Sequence, residues 1–210
     1  MLKKLASYLP DNIRKELKRI YYRRQINKNE FKSPELEYQF IEKYVKTGDW
    51  VIDVGANVGH YTRRFAEIVG HGRVIAFEPH PETFAMLAAN VEDLGNTTLI
   101  NAALSDKFGE VGFSVPHFNL YEASVDPNSH DKVGTVSPDL FNSDQSIAFI
   151  KIDAEGHEPI IIEALDELIR RHRPILMVEH NSEYLRNWVS RHRYRFNDIP
   201  NSHNHILEPD

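Results

Sequence analysis

VIDVGANVGHYT, residues 51–62, decides how the rest of the chain is read. With Trp50 before it, the stretch opens on a short apolar run broken only by Asp53, the length of a strand buried on both faces. Gly55 and Gly59 follow with Asn57 between them, and from Val58 the apolar residues fall at helical spacing until Gly70. Glycines at such a turn let the backbone bend sharply and let a ligand approach closely. The spacing also excludes two site types. G-x-G-x-x-G is absent, which disfavours hydride transfer from a dinucleotide, and no Gly-Lys-Ser/Thr follows, which removes the phosphate loop. What remains is an acid, Asp53, two residues before the first glycine, placed to suit a ligand with a cationic group.

Working outward, the pattern alternates. Strands are expected at Trp50–Val54, Arg73–Phe77, 97–104, 111–115, 148–152 and 175–178. Helices are expected at 58–69, 81–94 and 158–172, and after a Ser182 cap. Repeated strand–helix–strand units with short connections imply a mostly parallel sheet with helices on both faces. Residues 116–146 interrupt this with a polar segment holding only a weak element at 133–140. Residues 194–210 have room for a small hairpin, although a full pair of closing strands is a tight fit. Upstream, Ser33-Pro34 is a favourable helix start, with Leu36, Phe40, Ile41, Tyr44 and Val45 forming one face.

The 210 residues, 41% hydrophobic and 27% charged, suit one globular domain with a substantial core. Without cysteine there is no disulfide, zinc–thiolate site or thiol nucleophile. No apolar run approaches a bilayer span and no secretory signal is evident, so a cytoplasmic location is expected. The net charge of −6 is uneven: residues 1–32 carry ten Lys/Arg against three acids, a net +7, leaving −13 on the remainder. Residues 1–32 read as a basic helical arm with Ile13, Leu17, Ile20 and Tyr21 as an apolar stripe. The plainer expectation packs that stripe on the domain. Contact with an anionic membrane or a nucleic acid is the alternative.

The second strand ends in Phe77-Glu78-Pro79, with Glu78 19 residues after Gly59. An acid at the carboxyl end of the neighbouring strand accepts hydrogen bonds from ribose hydroxyls. A cationic amino-acid portion joined to a ribose describes S-adenosylmethionine. VIDVGANVGHYT, VIAFEPHPETFAMLAANV, INAALSD and FIKIDAEGHE, in this order, resemble the FkbM family of S-adenosylmethionine-dependent methyltransferases over residues 33–181. The resemblance implies a Rossmann-like class I methyltransferase fold over residues 33–210, with 116–146 on the acceptor side. It implies O-methylation of a sugar, glycan or natural-product hydroxyl. By position it assigns Asp53, Gly55, Ala56, Asn57 and Gly59 to the cofactor loop, Glu78 to the ribose, and Ala103 and Ser105 to the segment near the adenine.

FIKIDAEGHEP, residues 149–159, gathers Asp153, Glu155, His157 and Glu158 where a strand ends. In this fold that strand lies beside the first one, at the point where the sheet order reverses and a crevice opens. Asp153, Glu155 and His157 are therefore the candidate catalytic residues. His157 has the pKa of a proton acceptor for a hydroxyl. Alternatively Asp153, Glu155 and His157, with His180, could hold a divalent metal that acidifies a diol, although no metal is expected. Glu158 and other acids here also suit the following helix's N-terminus. Lys151 either pairs with one of these acids or is solvated. His117, Tyr121 and His130 are weaker acceptor contacts. Two other function classes stand beside the enzyme. One is a silent cofactor-fold binding protein. The other is a nucleic-acid methyltransferase, which the acidic body and the lack of an Asn/Asp-Pro-Pro-aromatic run disfavour. The expected partner is a small molecule or glycan, not a nucleic acid; the oligomeric state is not legible.

Overall fold

The computed structural model describes residues 10–115, 124–126, 128–141, 145–179 and 182–210. A seven-stranded sheet runs β10-β11-β9-β8-β1-β2-β3. Its strands are β1 (Trp50–Val54), β2 (Arg73–Phe77), β3 (Thr97–Ile100), β8 (Ile147–Ile152), β9 (Ile175–Glu179), β10 (Tyr194–Asp198) and β11 (Asn204–Pro209). The five strands from β3 to β9 are parallel, and β11 and β10 close the edge antiparallel. Both closing strands fit, because the five residues 199–203 make the turn and Leu207 and Ile206 are fully buried against the parallel strands.

Strand alternation sends side chains to two cores. Ile52, Val54, Ile150 and Ile152 pack with helices α4 (Glu158–Ala164), α5 (Asp166–His172) and α6 (Glu183–His192). Val51, Phe149 and Met177 pack on the other face with Phe65 and Val69 of α2 (His60–Val69) and with Tyr38, Ile41 and Val45. Helix α3 (Pro81–Asn90) covers β2 through Leu87 against Ala76. Ser182 caps α6 as expected, accepting the Leu185 N–H at 3.1 Å.

Four expectations are corrected. Residues 33–45 form two short 3₁₀ turns, Glu37–Gln39 and Ile41–Lys43, instead of one α-helix. The cause is Glu37, fully buried and hydrogen-bonded to Ser202 and Asn204 of the closing hairpin, which pins the segment inward. The 158–172 helix breaks at Leu165, which is fully buried at the α4–α5 junction. The 97–104 strand divides after Ile100: Asn101 donates to the carbonyls of Glu78 and Pro79, and the chain leaves the sheet. It enters a second sheet, β4-β7-β5-β6, made of β4 (Ala103–Leu104), β5 (Gly109–Ser114), β6 (Ser124–Val125) and β7 (Lys132–Val136). Part of the polar segment is thus a folded flap held by Ala103, Phe113 and Val133. His117 and Tyr121 lie outside the described residues, and His130 is exposed.

The fourth correction concerns the arm. Helix α1 (Asp11–Asn27) packs on the domain through Tyr22 and Ile26, which join Phe31, Val58 and Met86. Lys15–Glu82 at 2.6 Å and Arg23–Glu92 at 3.3 Å reinforce it. Exposed pairs of this kind are worth about 0–1 kcal/mol each, so the apolar cluster carries most of the docking. The stripe expected to be buried points outward instead.

Candidate active site

The carboxyl ends of β1, β2, β8 and β9 open into a cavity of about 500 Å³. One side is the β1–α2 loop. Gly55 has φ +76°, and a Cβ there would lie 1.8 Å from the Asp153 carbonyl oxygen, so only glycine lets this loop touch the end of β8. Asn57 is also left-handed, at φ +50°. Its side chain supports this by accepting the Val58 N–H at 2.8 Å, and buried Asn90 holds the Val58 carbonyl at 2.8 Å.

Glu78 leaves the end of β2 into the same cavity. Its two oxygens accept the Asn57 and His80 N–H groups at 2.9 and 2.8 Å. Burial outweighs these bonds and pushes its carboxyl up to about 7. Gly55, Ala56, Asn57, Glu78 and Ala103 line the cavity. Gly59, at φ +96°, heads α2 and does not line it. Ser105 donates its hydroxyl to Asp106 at 3.2 Å and is not among the lining residues.

Asp53, assigned to the cofactor loop, does not line the cavity either. It is fully buried behind the wall, on the face of β1 that meets α2, and accepts the Thr62 hydroxyl at 2.6 Å. Its register partner across the sheet is Lys151. The Lys151 ammonium lies 2.8 Å from Asp153, 3.8 Å from Asp53 and 3.4 Å from the Gly55 carbonyl. Burial opposes its charge, but Asp153 and Asp53 more than offset that, so its pKa is raised. Burial raises Asp53 as well, against the pull of Lys151 and Thr62. The residue interrupting the apolar run therefore links the two motifs.

The opposite wall is acidic. Asp153, Glu155 and His157 all line the cavity, so the structure brings the three catalytic candidates together. The Nε2 of His157 is buried with no hydrogen-bond partner among the described residues, and burial lowers its pKa. Glu158 instead folds back to accept the Ala154 and Gly156 N–H groups at 3.1 and 3.0 Å, shaping the loop. Glu179, at the end of β9, completes the wall; burial first, then the Asp153 and Glu155 charges, push its carboxyl up to about 8. One oxygen each of Asp153, Glu155 and Glu179 lie within 4.8 Å of one another, a set that could hold a cation. Here Glu179 takes the place expected for His157, and His180 lies outside the described residues.

Several wall residues were not anticipated. Glu179 carries the same signal as Glu78, an acid at a strand's carboxyl end, and was legible on that ground. Glu35, which accepts the Tyr61 hydroxyl at 2.6 Å and whose carboxyl burial raises, comes from a distant segment with no sequence signal. His60 stacks on Phe31 at 4.2 Å between ring centres, and burial lowers its pKa to about 4.

Residues 53–207 match the family described as Methyltransferase FkbM domain. The chain belongs to the FkbM methyltransferase family. Among its relatives is the 2-O-methyltransferase NoeI of Sinorhizobium fredii, 29% identical over 75 residues, covering 36% of this chain and 31% of that protein. The FkbM methyltransferase structure from Methylobacillus flagellatus superposes with a TM-score of 0.56 at 18% identity, over 76% of this chain and 43% of that one. Aeropyrum pernix fibrillarin, in complex with natively bound S-adenosyl-L-methionine, gives 0.51 at 14% identity, over 78% of this chain and 67% of that one. The chain spans less than half the length of the first two. At these identities the structural likeness establishes the α/β class I methyltransferase fold and nothing finer.

Proposed function

We propose that this FkbM chain is an S-adenosylmethionine-dependent methyltransferase acting on a hydroxyl oxygen of a sugar, glycan or other small molecule. The observation that carries the reading is one cavity that sets the Gly55–Asn57 loop and Glu78 against the wall of Asp153, Glu155, His157 and Glu179. The residues fit the cofactor. Each oxygen of Glu78 accepts one backbone N–H and keeps a lone pair for a ribose hydroxyl. Ala103 leaves room for a flat base, and the loop admits close approach. When bound, the cofactor supplies an electrophilic methyl group on a sulfonium. Asp53 supports this site indirectly, through Lys151 and the loop's contact with β8.

A hydroxyl needs to lose its proton to become a good nucleophile, and alignment contributes much of the rate. Burial favours the neutral imidazole of His157, and its side chain lines the cavity, where it takes that proton. Asp153, oriented by Lys151, and Glu155 accept hydrogen bonds from neighbouring hydroxyls of the acceptor. Burial and the neighbouring Asp153 and Glu155 charges favour the protonated form of Glu179, which shares a hydrogen bond with Asp153 on the same wall. The similarity to a 2-O-methyltransferase supports a sugar acceptor. A second reading, in which a divalent cation holds a vicinal diol, is favoured by the spacing of Asp153, Glu155 and Glu179.

The test is incubation with S-adenosylmethionine and a panel of free sugars, glycans and lipid-linked glycans, with mass spectrometry of the products. One added methyl group on a hydroxyl is expected, with His157→Ala slowing transfer by about a hundredfold or more. Loss of activity with a chelator, restored by a divalent salt, would assign the proton's removal to the cation. A protein that binds the cofactor but methylates nothing across the panel would be a binding protein instead.

A further inference from the structure

Among the described residues, four of the seven exposed large hydrophobic side chains lie on α1. Ile13, Leu17, Ile20 and Tyr21 are 44%, 48%, 54% and 56% exposed. They recur at i, i+4, i+7 and i+8, so they share one side of the helix, opposite the Tyr22–Ile26 side that packs on the domain. Exposed Arg24 continues the same side, exposed Lys18 and Arg23 flank it, and exposed Arg19 lies beyond Arg23 toward Ile26. The segment 1–32 carries +7 on a body of −13. By sequence, residues 1–9 (MLKKLASYL) repeat the mixture of lysines with large apolar side chains.

We propose that α1 docks the protein on an anionic lipid surface, with Ile13, Leu17, Ile20 and Tyr21 inserted at the headgroup level and the basic residues at the phosphates. An apolar stripe bordered by Lys and Arg on one side of a helix is the pattern that lies in a bilayer interface. The charge argues for this occupant over others. A second copy meeting helix to helix would set like charges against each other. A nucleic acid would leave four aliphatic or aromatic side chains at the centre of the contact without a partner. Opposing charge on the lipid and apolar depth beneath it satisfy both features at once. None of the described helices is long and apolar enough to cross a membrane, so the contact is peripheral. Docking leaves the inner side of α1 in place. Tyr22 there shares a cluster with Val58, which belongs to the β1–α2 loop, so the membrane-facing helix and the cofactor loop are joined by one set of apolar contacts.

The test is sedimentation of the full chain with phosphatidylcholine vesicles, with and without phosphatidylglycerol. Binding to the mixed vesicles is expected, with little to pure phosphatidylcholine, and falling steeply with added salt. Leu17→Asp with Ile20→Asp should abolish it. Lys18→Glu with Arg19→Glu and Arg24→Glu should weaken it by about a hundredfold or more. All these positions are exposed, so the variants should keep the parent's circular dichroism and melting temperature, which separates lost docking from lost folding. Three outcomes overturn the proposal. They are no binding to anionic vesicles, binding indifferent to both sets of variants, and a stripe-dependent dimer in lipid-free solution that leaves nothing to bind vesicles.

Discussion

Lys151 is 2% exposed and stands between Asp53 and Asp153, one behind the cavity wall and one in it. Replacing it by methionine keeps the volume but leaves a fully buried carboxylate without its cation. Such uncompensated charges cost about 3–5 kcal/mol, and Lys151→Met should lose stability on that scale by denaturant unfolding. Adding Asp53→Asn should recover most of it; two losses that simply add would contradict the pairing. Glu179 offers a pH test. Its carboxyl near 8 lies above the ordinary carboxylate range, so the fold favours the protonated form. The stability it contributes is present below about pH 4 and is lost as the pH rises through about 8. Glutamine does not ionise, so the melting temperature of Glu179→Gln should improve relative to the parent between about pH 5 and pH 9. Parallel curves would contradict the burial of this group. At this scale the sequence was informative but incomplete. Asp53 and Glu78 both read as acids at strand ends facing a ligand, yet only Glu78 enters the cavity. Strand register decides which face a side chain takes, and register needs the neighbouring strand.

The β1–α2 loop meets the end of β8 at a single close contact, and glycine makes it fit. Gly55→Ala adds a Cβ 1.8 Å from a backbone oxygen at φ +76°, and at least about 2 kcal/mol of stability should be lost, with weakened cofactor affinity. Gly95→Ala, with nothing within 4 Å and no left-handed backbone, should be neutral or stabilising by about 0.4–1 kcal/mol. Equal effects at the two sites would contradict the packing described. Local signals served well for β1, β2, α2 and α6, where apolar periodicity, the Gly70 stop and the Ser182 cap agree; α3 was expected over 81–94 but ends at Asn90, before Gly95. They failed where a distant segment intervenes. Residues 33–45 have a helical apolar pattern, but Glu37 is held by Ser202 and Asn204, more than 160 positions away. The break at Leu165 has no proline or glycine to announce it.

At the scale of the molecule, the closing strands complete both the sheet and the site. Deleting residues 194–210 would uncover β9 and strand the fully buried Glu37 without Ser202 and Asn204. That truncation should fail to give a cooperative thermal transition; a parent-like melt would show the hairpin to be dispensable. The alternation of strands and helices made the parallel sheet legible, and β5 was expected at 111–115, whereas its antiparallel pairing with β7 into a flap was hidden because the two lie about twenty residues apart across a polar segment. The proposed function requires the β1–α2 loop and Glu78 to hold S-adenosylmethionine. Titration calorimetry of the folded chain should give saturable one-to-one binding of the cofactor, weakened about tenfold to a hundredfold in Glu78→Ala through loss of hydrogen bonds to the ribose. No binding by the folded parent, or identical affinity in Glu78→Ala, would contradict it.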